Sequence, residues 1–219
     1  MRCLLFDYGG TLDADGTAWL ERFHPLYEEA GLKIPRADFD RAFYDADDHL
    51  PSRHPLQGLD LEQTLRLQVH DVLEALAPER TALAEPIAAR FAADSRRHFA
   101  RLRPALARLG ERYQLGVVSN FYGNLESILK AEGLLDLFAV VADSGTLGMT
   151  KPEPGIFLHA ARAVNTPPGD CVMVGDSVKR DMAGAAAAGM KKALVTSRPA
   201  LAGQDWTIRS VIELERMLP

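Results

Sequence analysis

Five short apolar runs, each closed by turn residues, limit what this 219-residue chain can fold into. They are Cys3 to Phe6, Leu115 to Val118, Ala139 to Ala142, Cys171 to Val174 and Ala193 to Val195. Short runs that are apolar throughout suit strands covered on both faces, the condition of a parallel sheet. Helical patterns separate the last four runs. Residues 124–130 form one. Residues 154–164 form a second, opened by Pro154, whose missing N–H costs nothing in a first turn. Residues 178–188 form a third and stop at Gly189, a residue suited to a left-handed helix cap. This alternation predicts an α/β fold with a doubly wound, Rossmann-like parallel sheet. A last strand and helix are expected at Trp206 to Ile208 and Val211 to Leu218.

About a hundred residues between the first two runs carry no strand signal. Leu61, Leu65, Val69, Val72 and Leu76 share one helical face. Asp60 and Gln63 form a capping-box pattern before it, and Pro78 marks its end. Trp19, Leu20, Phe23, Tyr27 and Ala30 trace another helix, with Pro25 inside it as a kink signal. Residues 37–50 and 80–101 predict two or three more. The expected organisation is a Rossmann-like core from residues 1–13 and 102–219, with an α-helical cap over residues 14–101.

Charge and composition narrow the partners. Residues 14–100 hold 16 acids against 10 Lys/Arg, and the chain as a whole carries a net charge of -5. A basic cluster of the kind nucleic-acid binding needs is not visible in the sequence. Although 47% of residues are hydrophobic, no apolar run approaches the roughly 20 residues that span a bilayer. The start, MRCLLFDYGG, is no secretory signal. The expectation is a cytoplasmic protein acting on a small molecule. Cys3 and Cys171 lie in strand-like runs and read as buried thiols rather than a disulfide or a metal pair.

Four features fall at the carboxyl ends of the expected strands, where open α/β sheets place their ligands. They are Asp7 with its Gly9-Gly10-Thr11 loop, Ser119-Asn120, Lys151, and the Asp176 and Asp181 pair in VGDSVKRD. Phosphoryl transfer through an aspartyl intermediate asks for this set. A carboxylate attacks, hydroxyl and amide donors hold phosphoryl oxygens, a lysine offsets charge, and further carboxylates fix a cation. Oxygen ligands without His or Cys suit Mg²⁺.

In order and spacing these motifs resemble the haloacid dehalogenase-like hydrolases, a superfamily made up mostly of phosphatases, and the resemblance covers the whole chain. It implies Asp7 as the nucleophile and Lys151 as a catalytic and phosphate-binding cation. It implies that Thr11, Ser119, Asn120 and Lys151 hold the phosphate. It also implies Mg²⁺ between Asp7, the backbone carbonyl of Gly9 and Asp176, with Asp181 close by. The substrate class so implied is a small phosphorylated metabolite, either a phosphate monoester or an acyl phosphate.

One position departs from the pattern. Phosphatases of this kind read Asp-x-Asp-Gly-Thr, and the second aspartate protonates the leaving group and then activates water. Here the string is Asp7-Tyr8-Gly9-Gly10-Thr11. The match at Asp13-Ala14-Asp15-Gly16-Thr17 is rejected because no apolar strand precedes it. Loss of a positioned acid/base costs about 10²- to 10⁴-fold, so turnover is expected to be slow or selective for good leaving groups. His24 on the first cap helix is the favoured substitute, since its ordinary pKa suits proton transfer near neutrality; Asp13 and Asp15 are the others. Three further readings remain open. One is a metal-independent haloacid dehalogenase. Another is the phosphonate-cleaving branch, which needs a cap lysine where only Lys33 is present. The last is an impaired binding protein of the same fold.

Overall fold

The computed structural model describes residues 1–198 and 203–218. Six strands form one sheet in the order β3-β2-β1-β4-β5-β6, every pair parallel. They are β1 (Cys3–Phe6), β2 (Gln114–Ser119), β3 (Val140–Asp143), β4 (Cys171–Gly175), β5 (Lys191–Val195) and β6 (Trp206–Ile208). This order reverses direction between β1 and β4, and the carboxyl ends of those two strands flank the crevice where such sheets bind ligands.

Side chains alternate along each strand, so one strand feeds two cores. Leu4 and Phe6 of β1 and Val172 and Val174 of β4 point into the larger cluster, while Cys3, Leu5, Cys171 and Met173 point into the smaller. Cys3 and Cys171 face each other in register as free, fully buried thiols.

Between β1 and β2 the chain makes α1 (Trp19–Glu29), α2 (Arg36–Arg53), α3 (Leu61–Leu76) and α4 (Ala84–Gly110). The Asp60–Gln63 capping box is present at the start of α3, with bonds in both directions. An aromatic group that includes Phe23, Phe39, Phe43 and Phe91 fills the space between these helices. The helix α4 runs unbroken through residue 102, so the chain passes the expected boundary inside a helix and not in a linker. Arg96 on α4 also ties Glu62 on α3 to Glu132 beyond β2.

The remaining helices are α5 (Leu125–Ala131), α6 (Ser144–Leu147), α7 (Pro154–Ala163), α8 (Ala183–Ala187) and α9 (Leu214–Met217). The single helix expected over 178–188 is instead a wide turn, Val178–Met182, followed by α8, and Gly189 takes the left-handed conformation that ends it. A Cβ on Gly184 would lie 2.3 Å from the Phe157 ring, so α8 and α7 approach as closely as they do only with glycine there. Among the described residues, no helix is long and apolar enough to cross a membrane.

Candidate active site

Asp7 follows β1 directly and is 5% exposed. Its Oδ1 accepts three donors: the Tyr8 N–H at 2.7 Å, the Ser119 hydroxyl at 2.8 Å and the Lys151 ammonium at 2.7 Å. Lys151 also donates to Asp181 Oδ1 at 2.7 Å, and the Ser177 N–H donates to Asp181 Oδ2 at 2.9 Å. Each of these residues leaves the carboxyl end of a strand or the loop after it. The sheet's own register therefore brings them together from positions 7, 119, 151, 177 and 181.

Asp176 completes the group. One ligand atom from each of Asp7, Asp176 and Asp181 lies within 4.8 Å of the others. Thr11 Oγ1 reaches Asp176 Oδ1 at 3.4 Å. Gly10 has φ +82°, and a Cβ there would stand 2.6 Å from Asp176 Oδ2, so only glycine lets the loop pass this carboxylate. Three acids thus share one ammonium. Burial first, and then the Asp7 and Asp181 charges, push the Asp176 carboxyl up to about 7. Burial, opposed by Lys151, pushes Asp181 up to about 6. For Lys151, burial alone would lower the pKa, but the charges of Asp181 and Asp7 win and it is raised. An excess of hard oxygen donors around a single cation, without His or Cys, is a donor set that fits a divalent ion such as Mg²⁺.

Asn120 is close by but is partly engaged. Its amide donates to the Lys151 carbonyl at 3.1 Å, and its carbonyl accepts from the Lys151 N–H at 2.7 Å, which fixes the lysine's backbone. Asp143, at the end of β3, holds the same region from behind by accepting from the Gly123, Leu125 and Gly145 N–H groups. Nothing in the sequence marked that role.

The space beside Gly9 is filled by Trp19. A Cβ built on Gly9 would meet Trp19 Nε1 at 3.3 Å. The indole donates to Asp13 Oδ2 at 2.7 Å, and Arg22 donates to the same oxygen. Asp13 Oδ1 accepts from the Gly10 N–H at 2.7 Å. Asp13 is therefore a buried, fully bonded brace of the loop. Asp15 pairs with Arg101. His24 stands against Phe39 with Glu28 3.9 Å away, and it is not among the residues lining the cleft over Asp7. None of the three expected substitutes for the missing acid stands in that cleft.

The cleft encloses about 100 Å³. Asp7, Ser119 and Lys151 line its floor. Phe43, Tyr44 and Asp47 from α2 line it as well, together with Tyr122 from the loop after β2 and Arg180 from the turn after β4. Asp47 accepts from the Tyr122 hydroxyl and from Gln68 Nε2 at 3.1 Å, both on Oδ1. Sequence reasoning missed Asp47, Tyr122 and Arg180. Asp47 adjoins the apolar face of an amphipathic helix, and its two partners are 21 and 75 residues away.

Comparison with known proteins identifies the family. A family model described as haloacid dehalogenase-like hydrolase matches residues 1–189. The haloacid dehalogenase-like hydrolase domain-containing protein 3 of Bos taurus is 38% identical over 106 residues, a match that takes in 48% of this chain and 41% of that protein. The chain thus spans well under two thirds of the length of the curated relatives it matches first. A solved phosphatase of the same kind from Thermococcus onnurineus is 26% identical with a TM-score of 0.60, covering 100% of this chain and 98% of its own. A 2-haloacid dehalogenase from Pseudomonas syringae shares the fold at 23% identity and a TM-score of 0.55, covering 100% of this chain and 98% of its own. With the family model matched over most of its length, the chain belongs to the haloacid dehalogenase-like hydrolases.

Proposed function

We propose that this protein hydrolyses phosphate monoesters or acyl phosphates of a small molecule through an aspartyl phosphate formed on Asp7. The observation that carries this reading is the state of the Asp7 carboxylate. Three donors hold Oδ1, and none among the described residues is bonded to Oδ2. The carboxylate is therefore fixed in orientation with one oxygen available to attack. The second N–H of the Asn120 amide is open to a phosphoryl oxygen, the Ser119 and Thr11 hydroxyls would turn from Asp7 and Asp176 to the others, and Lys151 offsets their charge. The ion that fits the carboxylates, Mg²⁺, would be held by Asp7, Asp176 and the Gly9 carbonyl, with Asp181 alongside. When bound it offsets charge on the transferring phosphoryl group. In this reading the helices between β1 and β2 act as a cap, and α2 supplies the wall that meets the rest of the substrate.

A dehalogenase reading draws on Gly9, because attack by Asp7 on carbon needs no leaving-group acid. The clustered third carboxylate, Asp176, favours the phosphohydrolase, since a single attacking aspartate would do without it. The test measures turnover of acetyl phosphate and para-nitrophenyl phosphate with and without Mg²⁺, beside halide release from a 2-haloacid. Asp7→Asn is expected to lose more than about 10⁴-fold of the phosphatase rate. Mg²⁺ is expected to raise the melting temperature of the wild type but not of Asp176→Asn. Phosphatase activity that survives Asp7→Asn overturns the assignment.

A further inference from the structure

We propose that Asp47, on helix α2, is the general acid and base that the Asp7 loop lacks, and that the protein accordingly accepts phosphate esters of ordinary alcohols. This rests on the phosphohydrolase reading above and deepens it.

Gly9 offers no side chain, and Trp19 closes the space where one would lie. Asp13 is saturated by Gly10, Trp19 and Arg22, and Asp15 and His24 are not among the residues lining the cleft. Among the described residues, the acidic groups lining the cleft are Asp7, the nucleophile, and Asp47 on α2. The hydrogen bonding of Asp47 is lopsided. Oδ1 takes both the Tyr122 hydroxyl and the Gln68 amide, and no donor among the described residues is bonded to Oδ2. In the neutral acid the proton therefore sits on Oδ2, the oxygen left free to give it away. Burial raises the Asp47 pKa, and Asp48 on the same helix raises it further. Tyr122, Arg180 and Gln68 pull the other way without reversing it. A carboxyl raised from its ordinary value is better matched to proton transfer near neutrality than an unperturbed one.

The step balances without another reagent. Asp7 Oδ2 attacks phosphorus, and the bond from phosphorus to the alcohol oxygen breaks. Its electron pair stays on that oxygen, which takes the proton from Asp47 Oδ2. The alcohol leaves, with an aspartyl phosphate on Asp7 and a carboxylate at Asp47. Water then attacks phosphorus as Asp47 takes its proton, and Asp7 is released with inorganic phosphate.

The test uses two probes of similar shape and different leaving-group demand. Phenyl phosphate needs a proton on its leaving oxygen, and para-nitrophenyl phosphate does not. Asp47→Asn keeps an acceptor for Tyr122 and Gln68. It is expected to lower kcat on phenyl phosphate at least 100-fold and on para-nitrophenyl phosphate less than tenfold. In the wild type, kcat/KM on phenyl phosphate should fall on the alkaline side, and Tyr122→Phe should move that limb to higher pH because it removes a donor that lowers the Asp47 pKa. A readout apart from activity concerns stability. A carboxyl whose pKa is raised on folding costs stability above its folded pKa and none below its unfolded pKa of about 4. Asp47→Asn should therefore melt at a higher temperature than the wild type at pH 8, and the gain should vanish near pH 4. Equal losses on the two esters, or none on phenyl phosphate, overturn the proposal while leaving the phosphohydrolase reading intact if acetyl phosphate is still cleaved through Asp7. A wild type inert toward every phosphate removes both.

Discussion

The two walls of the cleft are built on different principles. On the sheet side, Asp7, Ser119, Lys151 and Asp181 are 5% exposed or less, and each holds another through charge-assisted hydrogen bonds of 2.7 to 2.8 Å. On the helical side, Tyr44 is 53% exposed and Asp47 is half-buried. The difference follows from position. Strand ends fixed by a parallel ladder deliver their side chains to one place within narrow limits, so buried charges can be matched there. A helix wall is set only by how its apolar face packs, which leaves its polar residues freer to meet a variable ligand. Under the proposed function, chemistry common to many substrates falls to the first wall and selection to the second.

The largest effect is expected from unbalancing the rigid wall. Lys151→Met strands Asp7 and Asp181 as buried carboxylates without a counter-charge, and such breakage typically costs 3 to 5 kcal/mol, or roughly that much of the unfolding free energy here. Chemical denaturation checks it. A loss under 1 kcal/mol would show that the sheet side is looser than its hydrogen bonds imply.

A smaller effect is expected at Gly9. Restoring an aspartate there is the obvious repair from sequence alone, but the new side chain meets the Trp19 indole, which is itself tied to Asp13. Gly9→Asp is expected to lower stability by about 1 to 3 kcal/mol and to leave phenyl phosphate turnover no faster. A several-fold gain in turnover would show that Trp19 yields easily and that this wall adapts. The smallest effect is at Tyr8, whose hydroxyl is fully buried with no partner among the described residues. Tyr8→Phe removes an unsatisfied polar group and should stabilise by about 1 kcal/mol. A loss in calorimetry would reveal an unseen bond to that hydroxyl.

The same contrast explains what could be read from the sequence. Periodicity marked the strands because both faces of the sheet are covered, and the residues after each strand had nowhere to go but the switch point. Asp7, Ser119, Lys151, Asp176 and Asp181 were legible for that reason. The helical wall was not. Asp47 lies between the buried residues Phe43 and Ala46 and the exposed Asp48, a setting like that of any solvated acid. Only the packing of α2 and α3 against the loop after β2 gives it Tyr122 and Gln68 as partners. His24 drew attention through its type alone, yet it turns toward Phe39. Asp13 matched a motif by its letters, while Trp19 and Arg22 bury it as a brace. Helical register shows which residues share a face, but not what that face will meet.

The paired thiols of β1 and β4 have a practical consequence. Cys3 and Cys171 sit opposite each other at the centre of the sheet with no exposed surface. A thiol reagent reaches them only when the helices α7 and α8 lift from that face of the sheet, so their modification rate times an opening of the core itself. Labelling kinetics therefore give a clock for the sheet that needs no added probe. Set against the opening of the helices between β1 and β2, that clock would tell motion of the cleft's helical wall from collapse of the sheet that carries Asp7.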